Sequence, residues 1–211
     1  ADIAVIAPPY FQSSAHLIED KTMKTIINAT PLPVGVYDRG RFSPTFVPDA
    51  VLKRIYMEKK VVMVKDSSMD PKRRLLALSC RKKRPELRLL SGSEFNCVEY
   101  LKAGYDGLLL GGGVFNGWLA GKIIDAVRAG DLHLAEKVQN RMNRIMYAVY
   151  GGKKFKCWLS GEKKLLVEMG IFHTWNNFTA YPLTDTCIRA IKRVLEKDMD
   201  VLMPGRRKID D

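Results

Sequence analysis

Apolar positions in the first half of the chain gather in short runs, and between them the pattern changes to a period of three to four. The runs are IAVIA at 3–7, VGVY at 34–37, VVMV at 61–64, LRLL at 87–90 and GLLL at 107–110. Runs this short and this apolar predict strands buried on both faces, as in a parallel sheet wrapped by helices. Helical patterns fill the intervals over 15–29, 48–57, 71–83, 94–102 and 114–128. Pro48 with Asp49, and Asp70 with Pro71, supply helix-start signals. Five strand–helix repeats in succession predict an α/β fold, either a doubly wound sheet or a barrel.

After Gly130 the runs disappear. Asp131 is placed as an N-cap, and Leu134, Val138, Met142, Ile145 and Val149 fall on one helix face. Gly151 and Gly152 end that helix. Further helices are expected over 154–169 and 184–198, separated by the aromatic-rich loop GIFHTWNNFTAYPL. The chain therefore reads as two domains, an α/β portion at 1–130 and a helical subdomain at 131–211, with a frayed MPGRRKIDD tail.

Composition narrows the function classes. A 46% hydrophobic content indicates a globular chain and not a disordered one. The net charge of +12 resides in short runs at 81–84, 153–154, 163–164 and 206–208. These punctuate helix ends and loops. They do not form one aromatic-laced stripe, which disfavours nucleic acid as a partner and favours a solvated surface whose field draws anionic substrates. No segment has membrane-spanning length and none reads as a signal peptide, so no membrane partner is expected and a cytoplasmic location is. Cys80, Cys97, Cys157 and Cys187 form no CxxC pair and no metal-like cluster with His16, His133 or His173. Reduced thiols, no metal and no cofactor are the expectation.

Ligands of barrels and parallel sheets meet the C-terminal ends of the strands. Those ends carry Pro9 and Tyr10; Tyr37, Asp38, Arg39, Gly40 and Arg41; Lys65 and Asp66; Ser91, Gly92, Ser93 and Glu94; and Gly111 to Gly113. Lys65 has two readings. Ringed by apolar side chains, its amine loses hydration, titrates nearer neutrality and can attack a carbonyl to form a Schiff base. Alternatively it extends to the rim and pairs with Asp66. Tyr37, one strand earlier, is a proton relay or an aromatic plug. Arg39 and Arg41 bind a carboxylate or are solvated. The glycine run cradles an anion or permits close packing. Ser93 and Glu94 suit helix capping.

Together these residues resemble the dihydrodipicolinate synthase / N-acetylneuraminate lyase family of class I aldolases. ADIAVIAPPYFQ is similar to the family's fourth strand, which ends in a proline-tyrosine segment, and PLPVGVYD to its fifth, with the proton-relay tyrosine at Tyr37. VVMVKDSS resembles the sixth, with the Schiff-base lysine at Lys65, and LRLLSGSEFNCVEYLKAGYDGLLLGGGVFN the seventh and eighth. AGDLHLAEKVQNRM resembles the start of the C-terminal helices.

The resemblance implies a TIM (β/α)8 barrel of which this chain carries the last five β/α units plus a C-terminal helical extension. It implies a lyase in which Lys65 forms an imine with pyruvate or another 2-oxo acid, to make or break a carbon–carbon bond or dehydrate a sugar acid. Tyr10 would reach across a dimer interface, and Ser91, Gly92, Ser93, Glu94, Gly111 and Gly112 would line the second-substrate pocket. Homodimers or homotetramers are implied. The family's first three units, with the threonine pair that holds the pyruvate carboxylate, have no counterpart here. A longer native protein is therefore expected, with little activity from this chain alone. The loop Tyr-Asp-Arg-Gly-Arg also departs from the synthases' pattern, and Pro9 stands where they often place an aromatic residue. The alternative reading is a catalytically silent relative that binds a ligand or serves as a scaffold.

Overall fold

The computed structural model describes residues 1–8 and 20–205, so Pro9, Tyr10, His16 and the basic run at 206–208 lie outside the described residues. The chain divides into two compact units, Ala1–Leu110 and Gly111–Asp211.

The first unit alternates strand and helix in the predicted order: β1 (Ala4–Ile6), α1 (Asp20–Ala29), β2 (Val34–Asp38), α2 (Asp49–Tyr56), β3 (Val61–Asp66), α3 (Pro71–Lys83), β4 (Arg88–Ser91), α4 (Cys97–Lys102) and β5 (Gly107–Leu108). All neighbours pair in parallel, in the sequential order β1-β2-β3-β4-β5. Asp70 caps α3 by accepting from the Lys72 amide at 2.9 Å, with Pro71 at the first helical position as the sequence suggested. Strand β3 runs two residues past the apolar stretch, so Lys65 and Asp66 belong to the ladder and not to the loop after it.

A bulge fixes the alignment of β2 and β3. Val34 stands opposite Val61, but Gly35 stands opposite Met63, which leaves Val62 as the extra residue. Unshifted pairing would set Tyr37 against Val64. The bulge sets it against Lys65 instead, and Asp38 against Asp66.

One sheet face carries Val34, Val36, Val64 and Leu89. It is sealed by Met23 and Ile27 of α1, Leu52 and Ile55 of α2, and Ala77 and Cys80 of α3. The other face carries Ile3, Val5, Gly35, Tyr37, Met63 and Lys65. A side chain on Gly35 would meet Met63 Cε at 2.6 Å and Val5 Cγ2 at 3.2 Å. This second face is only partly covered among the described residues, with Ile3 39% and Val5 52% exposed.

Two expectations for this unit need correction. Ser93 makes no side-chain cap bond to the 3-10 turn Glu94–Asn96 that it precedes. The basic run at 81–84 is not simply a solvated surface. Arg81 pairs with Asp106 at 2.7 Å, while the buried Arg84 guanidinium donates to the Tyr56 and Glu58 carbonyls, each at 2.7 Å, and ties the α2–β3 turn.

The second unit is helical: α5 (Gly113–Arg128), α6 (Leu132–Val149), α7 (Trp158–Glu168) and α8 (Asp185–Leu202). Asp131 caps α6 through the Leu134 amide at 2.9 Å, and Thr184 caps α8 through the Cys187 amide at 3.2 Å. The inner face of α6 is Ala135, Gln139, Met142, Ile145, Met146 and Val149. Leu134, expected on that face, is exposed, and the small Ala135 takes the inner position at that turn. Residues 154–157, expected to open a helix, form turns ahead of α7, because Gly151, Gly152 and Phe155 all take positive φ. Among the described residues no helix is long and apolar enough to cross a membrane. All four cysteines are free and buried.

Candidate active site

Strands β2 and β3 end in matched pairs, Tyr37-Asp38 and Lys65-Asp66, held level by the ladder. Side chains alternate across a strand, so each pair sends one residue to each face. On the partly open face, the Lys65 ammonium nitrogen lies 4.2 Å from the centroid of the Tyr37 ring. Lys65 makes no ion pair with a described residue, and the pairing with Asp66 offered by the sequence does not occur, because Asp66 points to the opposite face. The nitrogen sits over the ring face, where the aromatic quadrupole attracts a cation.

Gly92 leaves room for this arrangement. A side chain there would come within 1.9 Å of Ser67 Oγ and 3.2 Å of Lys65 Cε. The tip of β4 thus packs directly on the lysine stem. The Gly92 amide also donates to the Asp66 carbonyl at 2.7 Å, and the Ser67 amide to the Asp38 carbonyl at 2.8 Å, tying the three strand tips together.

The reverse face holds a buried polar layer that sequence reasoning missed. Asp66 accepts from the Ser68 amide at 2.9 Å, the Ser68 hydroxyl at 2.7 Å and the Tyr105 hydroxyl at 2.7 Å. Asp38 accepts from the Gly40 amide at 2.9 Å and the Tyr56 hydroxyl at 3.1 Å, and it faces Arg73 at 3.4 Å. Arg73 is itself buried; it also pairs with Asp49 at 2.8 Å and donates to the Val47 carbonyl. Burial raises the Asp38 carboxyl above the usual range, although Arg73 and the Gly40 amide pull it down. Burial, reinforced by Asp38 and Asp66, holds the Tyr56 phenol well above its ordinary value, and burial with Asp66 does the same for Tyr105. Both phenols therefore serve as fixed donors to carboxylates. The one visible signal was the acid that follows both Tyr37 and Lys65.

The remaining candidates disperse. Ser91 is fully buried on the Asp66 side, where its hydroxyl accepts from the Ser93 amide at 3.1 Å. Ser93 is buried and Glu94 half-buried. Arg39 is half-buried ahead of the 3-10 turn Gly40–Phe42, and the exposed Arg41 lies 5.1 Å over the Phe42 ring. Gly111 and Gly112 open the second unit, with Gly112 at the N-cap of α5. Tyr10 lies outside the described residues. Among the described residues no three His, Cys, Asp or Glu side chains converge to hold a metal ion.

The sequence model of the dihydrodipicolinate synthetase family matches residues 1–172. The chain belongs to the dihydrodipicolinate synthetase family. Solved structures of that family and its lyases share the fold. Dihydrodipicolinate synthase from Bacteroides thetaiotaomicron is 22% identical with a TM-score of 0.79, over 93% of this chain and 66% of that one. A prophage protein of the family from E. coli K12, determined in complex with pyruvate, is 18% identical with a TM-score of 0.77, over 93% and 66%. N-acetylneuraminate lyase from Fusobacterium nucleatum is 16% identical with a TM-score of 0.75, over 93% and 65%. The chain therefore spans just under two thirds of the length of these relatives. No curated protein matches it.

Proposed function

We propose that the protein is a class I aldolase-like lyase in which Lys65 forms a Schiff base with pyruvate or a related 2-oxo acid. The observation that carries this reading is the Lys65 nitrogen, 4.2 Å from the Tyr37 ring centroid and without a carboxylate partner among the described residues. A nucleophilic amine must shed its proton, and a paired carboxylate would hold that proton in place.

In the proposed reaction the neutral amine adds to the C2 carbonyl, forming a C–N bond and a carbinolamine. A proton delivered through the Tyr37 hydroxyl converts the carbinolamine hydroxyl to leaving water and gives the iminium. The iminium acidifies C3, whose proton passes to the Tyr37 phenoxide left by the previous step; the resulting enamine adds to an aldehyde, whose new alkoxide takes the Tyr37 proton, and cleavage runs the same steps in reverse. Hydrolysis returns the lysine. Arg39 and Arg41 are proposed for the substrate carboxylate, and Gly92, Ser93, Glu94, Gly111 and Gly112 for the second substrate. Ser91 is retained only through its backbone, since its side chain faces the polar layer. The pyruvate in the E. coli K12 relative supports the substrate class.

The partly covered face bearing Ile3, Val5 and Lys65 supports membership of a larger closed barrel, in which α5 counts with the last β/α unit and keeps the domain boundary at residue 130. Assembly as a homodimer or homotetramer with Tyr10 at the interface follows the family. A cytoplasmic location rests on the four free thiols.

The test is borohydride reduction in the presence of pyruvate, with the adduct mapped by mass spectrometry. The expected product is Nε-(1-carboxyethyl)lysine at position 65, absent from Lys65→Ala. An unmodified Lys65 under saturating pyruvate, in a protein carrying the whole barrel, would leave the silent relative as the better account.

A further inference from the structure

The turn joining α6 to α7 and the first turn of α8 enclose a cavity of about 580 Å³ in the second unit. Lys153, Lys154 and Lys156 line it, together with Tyr147, Thr184 and Thr186. We infer that this cavity binds a small anion carrying two or more phosphate groups.

The turn is built and not merely slack. Gly151 and Gly152 take φ of 75° and 93°, and Phe155 takes 51°, a conformation that a residue with a side chain adopts only when its surroundings impose it. The Phe155 ring supplies the restraint. It lies parallel to Tyr147 with centroids 6.3 Å apart, and meets Tyr150 edge-on at 6.0 Å. The Gly152 amide closes onto the Tyr147 carbonyl at 2.7 Å. Lys154 and Lys156 flank this ring, and Lys153 precedes it in the same turn.

All three lysines are exposed, and none forms an ion pair with a described residue. Ammonium groups gathered on one short turn repel one another. They form no ion pair with a described acid and border a concave space, so their field concentrates anions, offset in part by the exposed Asp185 between Thr184 and Thr186. Thr184 and Thr186 add hydroxyls to the same wall, and Arg189 stands beside it, donating to the Thr186 hydroxyl at 3.3 Å.

The cation type selects the anion. Among the described residues no arginine is in the cavity lining, Arg189 reaching only the Thr186 hydroxyl, and arginine is the residue suited to planar, two-pronged recognition of a carboxylate. Lysine acts as a point charge, and with threonine hydroxyls it fits the tetrahedral phosphate. One phosphate monoester carries about −1.5 to −2 at neutral pH, so three ammonium groups match two such groups. The cavity lies within the range of roughly 300–1,000 Å³ typical of small-ligand sites. It is a pocket and not a continuous basic stripe, which favours a small ligand over a nucleic acid.

The test titrates the 211-residue chain by calorimetry with orthophosphate, pyrophosphate, tripolyphosphate, ATP and citrate at low and moderate salt. The expected result is one saturable site for pyrophosphate and tripolyphosphate, at least tenfold weaker binding of orthophosphate and citrate, and affinity that falls with salt. ATP binding more tightly than tripolyphosphate assigns a nucleotide, and equal binding assigns an inorganic polyphosphate; either supports the site. Replacing Lys153, Lys154 and Lys156 with Gln should cost at least tenfold. Thr186→Val, which leaves the charge unchanged, should also weaken binding. A control that replaces Lys122, Lys137 and Lys192, exposed lysines outside the cavity, should bind as the parent does. Circular dichroism verifies that each variant is folded. No saturable binding of pyrophosphate or tripolyphosphate by the folded chain, equal loss in the control, more than one site per chain, citrate matching pyrophosphate, or a short oligonucleotide that binds the parent and the cavity variant alike would overturn the assignment.

Discussion

Lys65 and Tyr37 are direct partners across two parallel strands, and the lysine nitrogen rests 4.2 Å from the centre of the tyrosine ring. The contact gives Tyr37 two separable roles. The ring face positions the lysine nitrogen, and the hydroxyl is available to relay protons. Tyr37→Phe keeps the first and removes the second, whereas Tyr37→Leu removes both. The borohydride-trapped pyruvate adduct should form about 10²- to 10⁴-fold more slowly in Tyr37→Phe, the span of general acid–base contributions, and no faster in Tyr37→Leu. Quenched time courses read by mass spectrometry make the comparison. A Tyr37→Phe rate equal to the parent's removes the relay role.

Gly92 is constrained by packing. A methyl group there meets Ser67 Oγ at 1.9 Å, which no real contact tolerates, so Ser67 must shift and the lysine stem with it. Gly92→Ala should lower stability by about 1–3 kcal/mol, the usual cost of overpacking, and slow adduct formation. Adding Ser67→Ala removes the hydroxyl oxygen and should recover part of both losses. Urea unfolding of the two single variants and the double variant gives the coupling. Strictly additive effects would show that the two residues do not meet.

Burial holds the Asp38 carboxyl above its ordinary value, so the fold favours its protonated form. Its titration contributes stability below the unfolded carboxylate pKa of about 3.9, and that contribution is lost as pH rises through the higher folded value. Asp38→Asn removes this dependence. The stability gap between parent and variant should therefore be wider near about pH 4 than near about pH 7. Urea midpoints across that window decide the matter, and a gap that widens toward neutrality contradicts the buried setting of Asp38.

Asp198 in α8 carries the opposite sign. Burial works against its charge, yet hydrogen bonds from Arg144 at 2.6 Å and Arg141 at 3.0 Å more than offset it, and its carboxyl lies below the usual range. Its contribution is present above the unfolded pKa and disappears as pH falls through the folded value. Asp198→Asn should destabilise the protein near neutral pH, with the loss shrinking progressively below about pH 4. Urea unfolding of parent and variant between roughly pH 2 and 7 tests it.

Asp66 and Tyr105 share a buried hydrogen bond of 2.7 Å on the face behind Lys65. Tyr105→Phe removes one donor and should cost about 0.5–1.5 kcal/mol, or more if Asp66 is left short of a partner. Asp66→Ala strands the Tyr105 hydroxyl together with the Ser68 amide and hydroxyl, and should cost more than Tyr105→Phe does. Chemical unfolding ranks them, and the reverse order would contradict the reading of Asp66 as the hub.

The sequence by itself determined the parallel α/β order, because apolar runs of strand length between helical stretches can be buried only between layers. It also marked Tyr37 and Lys65, since each interrupts apolar character at a strand's end, and it placed the Asp70 and Asp131 helix starts through local backbone chemistry. Tertiary structure alone decided what those residues touch. The bulge at Val62 is one residue of pairing register, invisible in local propensity, yet it sets whether Tyr37 meets Lys65 or Val64. The same register sends Asp38 and Asp66 to the helix side, where Arg73, Tyr56 and Tyr105 arrive from positions distant in the chain. Periodicity reports which face a residue takes within its own strand. Which residue stands beside it on the next strand depends on long-range pairing, and no window along the chain contains that information.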